Sequence, residues 1–324
     1  MNPAVQKMQP TVSVIIPTYN RVNYICETVE SILAQDYPEK EILVIDDGSS
    51  DDTASVLKKF GDKINYFYHQ NRGESVTVNR GWNMARGKYV AIVSSDDPVR
   101  PGWLSACVDF MERAPAVLVG YPDWIMTDDD GHEIKKIEVF DYSIDKLLGW
   151  WHCVPGSGTF IRREALTDVI NLRDPKCRYV SDMETWTRLA LRGEFSRIPG
   201  FWATWRYHGG AATVAASATA RATELVNIAE RFFARNDLPV HVQALRPFGL
   251  SRAYALASRI ILAAAPVKSY SYYRHSLRLC PVNPEGLPAY MQRHGFIRDV
   301  LAGMLRRLMR GLRISTIRFS QDAR

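Results

Sequence analysis

Apolar residues fall into two alternating rhythms over the first 120 or so positions of this chain. Short unbroken runs give way to stretches in which an apolar residue returns every third or fourth place. Thr11-Val12-Ser13-Val14-Ile15-Ile16 is mostly β-branched and stops at Pro17, which predicts a first strand. After the loop Thr18 to Arg21, Val22, Ile25, Val29, Ile32 and Leu33 recur at helical spacing. A second run, Glu41 to Asp46, leads to an expected helix over Thr53 to Phe60 and a short strand near Ile64 to Tyr68. Two more apolar runs, Tyr89 to Val93 and Val117 to Tyr121, continue the series. Runs this continuous do not suit a half-exposed sheet. They predict an α/β fold with a mostly parallel sheet covered on both faces by helices.

Beyond Tyr121 the rhythm changes. Trp124 to Ile137 reads as a hairpin turning at Asp129-Asp130-Gly131. Trp150 to Thr159 is aromatic and then glycine-rich, a loop entering a strand at Phe160-Ile161. Ser181 to Leu191 is expected to be a helix, and from about Ala211 the pattern is purely helical with breaks at Pro239, Pro281, Pro284 and Pro288. The expected division is residues 1–212 as the α/β domain and residues 213–324 as a helical C-terminal extension.

In a parallel sheet, ligands bind outside the carboxyl ends of the strands. Tyr19-Asn20, Asp46-Asp47 and Asp96-Asp97 all fall at those ends. Adjacent carboxylates behind a buried strand suit Mg²⁺ or Mn²⁺, which bind few protein oxygens together with substrate phosphates. Turn chemistry accounts for Asp97-Pro98 and for Asp46-Asp47-Gly48-Ser49 as well, and a carboxylate in the second cluster could instead accept from a base or ribose. Tyr19 is either a core-edge aromatic or a ring on which a base stacks. Asp182 is either an acid favouring a helix N-terminus or a proton acceptor. His208 sits in Arg206-Tyr207-His208-Gly209-Gly210, where guanidinium and exposed backbone suit phosphate. No G-x-G-x-x-G follows the first strand, which argues against a dinucleotide oxidoreductase.

Composition narrows the classes. The chain is 46% hydrophobic and 23% charged, with no low-complexity tract, as in an ordinary globular protein. Its five cysteines are scattered without C-x-x-C spacing, which favours a reducing compartment over a disulfide framework or zinc site. No signal-type apolar segment or bilayer-length run is found, so the chain is expected not to span a membrane. The net charge of +6 is matched by residues 293–324 alone, where eight Arg stand against two Asp. There Ile297, Val300, Leu301, Met304, Leu305, Leu308 and Leu312 form one helical stripe beside the arginines. Such a helix either lies on an anionic membrane surface or packs on the α/β domain with its basic face in water. No nucleic-acid motif accompanies it, and no nucleic-acid partner is expected.

Taken in order, these pieces resemble the family 2 glycosyltransferases of the GT-A (Rossmann-like) fold, from Val12 to about His208. The resemblance rests on Ser13-Val14-Ile15-Ile16-Pro17-Thr18-Tyr19-Asn20, on Val44-Ile45-Asp46-Asp47-Gly48-Ser49-Ser50-Asp51-Asp52-Thr53, and on Asn71-Arg72-Gly73 and Asn79-Arg80-Gly81. Ala85-Arg86-Gly87-Lys88-Tyr89 running into Ser95-Asp96-Asp97, and the helix from Ser181 to Leu189, complete it. The resemblance implies an inverting hexosyltransferase. It would move a sugar from a nucleotide diphosphate, UDP favoured, to a hydroxyl of a saccharide or lipid-linked acceptor, in surface polysaccharide or glycolipid synthesis. The setting it implies is cytoplasmic, with peripheral attachment to the inner face of the membrane. Pro17, Tyr19, Asn20, Asp47, Asn79, Ser95 and Asp96 would bind the nucleotide. Asp96, Asp97 and His208 would hold Mn²⁺ or Mg²⁺, and Asp182 would be the general base. Trp151, Gly156, Ser157 and Gly158 would face the acceptor. Three positions depart from the pattern: Ser94 replaces the first acid of D-x-D, Ser181 replaces the usual glutamate, and Val78 stands where an arginine is common. Ser94 and Ser181 keep open a catalytically degenerate sugar-nucleotide-binding or scaffold protein.

Overall fold

Strand β1 (Val12–Thr18) is flanked on both sides by parallel partners, β2 (Lys40–Asp46) and β4 (Tyr89–Ile92). Its alternate residues therefore meet different helices. Val12, Val14 and Ile16 join a core with Ile25, Val29 and Ile32 of α1 (Ile25–Leu33) and with Trp103, Leu104 and Cys107 of α4 (Trp103–Arg113). On the other face Ile15 packs against α3 (Glu74–Met84), so closely that a Cβ at Gly81 would lie 2.5 Å from its side chain. Burial on both faces is the reason β1 reads as an unbroken apolar run. The computed structural model describes residues 11–152, 155–210 and 217–280.

The eight-stranded sheet runs β3 (Asn65–Tyr68), β2, β1, β4, β7 (Phe160–Arg162), β5 (Val117–Thr127), β6 (Glu133–Ile137). The first four are mutually parallel, whereas β7 is antiparallel to both β4 and β5, and β6 is antiparallel to β5. A thirteen-residue strand, β8 (Glu194–Arg206), pairs parallel with β5. The expected short strand at Val117 and the first arm of the expected hairpin are thus one continuous strand. The turn falls where the sequence puts it, ahead of β6. β8 carries a bulge: Pro122 pairs with Ile198 but Asp123 with Phe201. The buried Asp123 carboxylate fills that kink, accepting from Arg197 Nε and Nη2 (2.8 Å each), Val139 N (2.9 Å) and Gly200 N (3.2 Å).

At the amino ends of the strands, Glu41 Oε1 accepts from Ser13 Oγ (2.6 Å) and Arg86 N (2.8 Å), and Glu41 Oε2 accepts from Arg86 Nη2 (2.6 Å). Gly87 N donates to Ser13 Oγ (2.8 Å). The Arg86-Gly87 part of the family pattern is thus a structural clasp at the opposite end of the strands from the polar clusters.

Among the described residues, 148–151 and 217–280 make up a second compact unit. Its described helices are α6 (Ala218–Phe233), α7 (Val240–Ala244), α8 (Arg246–Ile261) and α9 (Pro266–Leu279). Small side chains let α8 and α9 approach closely, with Ser251 Oγ 3.0 Å from Ser276 Oγ and Ser258 Oγ 3.0 Å from Ser269 Oγ. The basic stripe of residues 293–324 lies outside the described residues. Among the described residues no helix is long and apolar enough to cross a membrane.

Candidate active site

The carboxyl ends of β1, β2 and β4 carry the first three polar clusters, and hydrogen bonds join them. Asn20 takes a positive φ of 52° after β1, and its Oδ1 accepts from Ser50 N (2.8 Å) while its own N donates to Ser49 Oγ (2.9 Å). Arg21 N donates to Thr53 Oγ1 (2.9 Å), at the start of α2 (Thr53–Leu57). The loops after β1 and β2 are therefore tied together. Pro17 is partly buried within β1, opposite Ile45, and Tyr19 stands 45% exposed at the tip. An aromatic ring left open there is a ready stacking surface for a flat base.

Asp46 is fully buried, accepting from Ser49 N (2.8 Å) and Tyr66 Oη (2.7 Å), and burial followed by that bond pushes the Tyr66 hydroxyl well above its usual pKa. Asp47 accepts from Arg72 N (2.7 Å) and Gly73 N (2.9 Å). These bonds fix the loop that leads into α3. Gly48 between the carboxylates has φ 81°, and a Cβ on it would stand 2.6 Å from Asn71 N, so only glycine fits.

Ser95, Asp96 and Asp97 follow β4. Ser95 is buried, its carbonyl accepting from Thr28 Oγ1 (3.1 Å). Asp96 Oδ2 lies 3.2 Å from Arg21 Nε and 3.0 Å from His208 Nε2, and Arg21 Nη2 reaches on to Gly210 O (3.0 Å). Asp97 is engaged differently: its Oδ1 accepts from Arg206 N (2.8 Å) at the end of β8. Burial first, and the neighbouring Asp96 charge second, push its carboxyl up to about 8.

Two cis ligands each about 2.1 Å from an octahedral cation stand about 3.0 Å apart. The Asp96 Oδ2 to His208 Nε2 separation of 3.0 Å fits that requirement. Asp97 does not complete a three-ligand cluster with them. Among the described residues, three such ligand atoms gather within 4.8 Å only at Asp128, Asp130 and His132, in the exposed turn before β6. A divalent cation held here would take one carboxylate and one imidazole from these two residues and fill its other positions from phosphate and water.

Asp182 is the second residue of α5 (Ser181–Leu189), half-buried, and its Oδ1 accepts from Met183 N (2.7 Å). Ser181 Oγ lies 2.8 Å from Arg173 Nη1, which also reaches Glu74 Oε1 (2.8 Å) at the start of α3. Asn79 works on this same segment. Its Nδ2 donates to Arg173 O and its Oδ1 accepts from Arg173 N, both at 2.8 Å. Both ends of the amide thus bond backbone, and Asn79, expected at the nucleotide, is a latch on the approach to α5.

Of the expected acceptor residues, Gly156 is exposed and Ser157 Oγ is covered without a hydrogen-bond partner. Gly158 has φ 73°, its carbonyl accepts from Trp103 Nε1 (3.1 Å), and a Cβ would come within 2.8 Å of Ala203. Trp151 belongs to the second unit, where it is 4% exposed and donates from Nε1 to Gly249 O (2.7 Å).

Three functional candidates carry no role in the sequence reading: Arg21 on Asp96, Tyr24 against His208, and Glu27. Arg206 needs a correction. Its guanidinium is buried, with Nη2 2.7 Å from Glu27 Oε2 and the Tyr24 ring 5.4 Å away, so it supports the site from beneath rather than facing phosphate. A Tyr-Asn-Arg sequence ending a strand was the available signal for Arg21. Tyr24 and Glu27 had none, because their partners lie more than 100 residues away.

Comparison with known proteins fits this geometry. The model of Glycosyl transferase family 2 matches residues 13–170. A putative teichuronic acid biosynthesis glycosyltransferase of Bacillus subtilis, TuaG, is 31% identical over 190 residues, covering 57% of this chain and 74% of that one. The chain belongs to glycosyltransferase family 2. An uncharacterized family relative from Rickettsia prowazekii is 31% identical over 186 residues, 55% of this chain, and the match spans 58% of that relative's length. The fold of the family is shared by S. aureus TarS 1–349, solved in complex with UDP-GlcNAc, with a TM-score of 0.66 at 18% identity over 92% of each chain.

Proposed function

We propose that this chain transfers a hexose from a nucleotide diphosphate, UDP favoured, to a hydroxyl of a saccharide or lipid-linked acceptor, with inversion. The observation that carries the reading is the Asp96 to His208 pair at 3.0 Å, which joins the end of β4 to the end of β8 beside Arg21. UDP-GlcNAc bound to a protein of the same fold supports the donor class, and the name of the B. subtilis relative supports a surface polysaccharide product.

In this reading Tyr19 stacks on the base, and Ser95 and Asp96 face the ribose and diphosphate. Asp182 accepts the proton of the acceptor hydroxyl as its oxygen attacks the anomeric carbon opposite the diphosphate. Arg21 meets the departing phosphates with positive charge and N–H donors. A Mn²⁺ or Mg²⁺ held by Asp96 and His208 would supply further neutralisation of the leaving group. The basic stripe of residues 293–324 would place the enzyme on an anionic membrane surface, and truncation there should release it from anionic vesicles.

Calorimetric titration of UDP, GDP and dTDP, with and without Mn²⁺, tests the reading. Metal-dependent binding of one nucleotide, lost in Asp96→Ala, is expected. Absence of binding to all of them would overturn it.

A further inference from the structure

Trp205 of β8 stands between two other aromatic rings. Its centroid is 5.7 Å from that of Trp124 on β5 and 6.2 Å from that of Tyr207, each pair meeting edge to face. Strand pairing explains the row. Trp205 is the register partner of Met126 and Trp124 that of Ala203, so the two indoles share one face of the sheet. All three rings reach solvent: Trp124 and Trp205 are half-buried and Tyr207 is 52% exposed.

The polar atoms of the row are open as well. In the same unit Trp82, Trp103 and Trp202 each donate from Nε1 to a backbone carbonyl, as tryptophans held for packing usually do. Among the described residues neither the Trp124 nor the Trp205 N–H has a protein acceptor, yet both stay accessible, unlike the unpaired and enclosed Nε1 of Trp186. Gly156 is exposed beside the first of them. A Cβ there would lie 3.4 Å from Trp124 Nε1, so a larger residue would crowd that donor. Flat apolar faces with N–H donors at their rim match a sugar ring, which presents C–H groups on its face and hydroxyl oxygens at its edge.

We propose that Trp124, Trp205 and Tyr207 form the subsite for the saccharide end of the acceptor, a role that rests on the transferase reading above. Sugar C–H faces pack on the rings, and sugar hydroxyl oxygens accept from the two indole N–H groups. Placement favours the acceptor over the donor. Three strands, β4, β7 and β5, separate β8 from β1, which leads to the base-stacking Tyr19. The row ends at Tyr207, and the three residues from Trp205 to His208 span at most about 11 Å. A saccharide lying along it brings its end to the sheet edge where His208 meets Asp96.

The test is titration of the full chain with cellotriose, chitotriose and mannotriose. Binding is read from the indole ¹H–¹⁵N signals of Trp124 and Trp205 and from saturation transfer to the sugar. At least one trisaccharide should shift both signals with a Kd of about 1 mM, with saturating UDP and Mn²⁺ present or absent. Trp124→Phe and Trp205→Phe assign the signals. Combined, they keep two rings, remove both donors and should weaken binding at least about fivefold. Tyr207→Ala, at an exposed position, should weaken it about threefold. No shift with any trisaccharide, displacement by UDP, or wild-type affinity in the double variant would each overturn the proposal. Shifts caused by lysolipid micelles and by none of the sugars would overturn it too, in favour of a lipid-facing row. UDP calorimetry on the same samples separates the two readings. Nucleotide binding without sugar binding sinks the acceptor subsite alone, whereas sugar binding without nucleotide binding removes the transferase reading and leaves the row a saccharide site.

Discussion

The Tyr24 ring lies 4.6 Å from the His208 imidazole, tilted by 42°, while its hydroxyl donates to Asp129 Oδ1 at 2.5 Å. That bond, with burial second, holds the Tyr24 hydroxyl above its usual pKa, so it stays protonated and keeps donating. One tyrosine therefore fixes the imidazole on one side and the turn before β6 on the other. Tyr24→Ala should weaken Mn²⁺ binding about tenfold or more, as loss of a ligand's supporting contact does. Tyr24→Phe keeps the ring and should stay within a few-fold of wild type. Mn²⁺ titration followed by electron paramagnetic resonance reads both.

Asp96 and Asp97 are neighbours with unequal duties. Asp96→Asn removes the charge that faces Arg21 and His208 and should reduce metal-dependent nucleotide affinity by about two orders of magnitude. Asp97→Asn still accepts from Arg206 N through its amide oxygen. It replaces a carboxyl already raised to about 8. Its loss should be no more than about tenfold, measured by the same calorimetry.

Asp182→Asn should leave UDP binding nearly intact and lower turnover by roughly two to four orders of magnitude, as expected for a lost proton acceptor. Single-turnover kinetics with a saturating donor would show it. Wild-type turnover would remove Asp182 from the role.

Asn79→Ala breaks two hydrogen bonds to the Arg173 backbone at a buried position. It should destabilise the α/β unit by about 2–3 kcal/mol in urea unfolding. Turnover should fall more than donor affinity, because the segment it releases leads to Asp182.

Asp123 supplies a pH signature. Burial alone would raise its pKa, but Arg197 and the N–H groups of Val139 and Gly200 more than reverse this and hold the carboxyl below its usual range. A depressed folded pKa means stability that is present above the unfolded value and lost as pH falls through the folded one. Asp123→Asn should cost about 3 kcal/mol near neutral pH. The gap from wild type should narrow below pH ~4, as urea unfolding at the two pH values would reveal.

The core strands and their order of appearance were legible because burial on both faces writes continuous apolar runs. That Asp96 and His208 sit at strand ends was legible because they follow such runs; that the two meet was not, because 112 residues separate them. The structural part of Asn79 was not legible: an amide at a motif position gives no sign of a main chain 94 residues away. Ser181 looked like a loss relative to the family pattern, yet its hydroxyl anchors Arg173. The thirteen-residue β8 was seen only as an apolar-aromatic segment, because its kink at Pro199 and Gly200 breaks the alternation that marks a strand.

That kink also sets a phase. Between Ile198 and Phe201, β8 carries Pro199 and Gly200 opposite a single step of β5. Side chains alternate faces along a strand, so deleting either residue would turn everything downstream over, Arg206 included. The chain would then leave the sheet half a step out, and the imidazole two residues later would start from the wrong side. Whether a histidine reaches Asp96 is thus decided upstream by arithmetic, by how many residues the strand contains rather than by which ones they are.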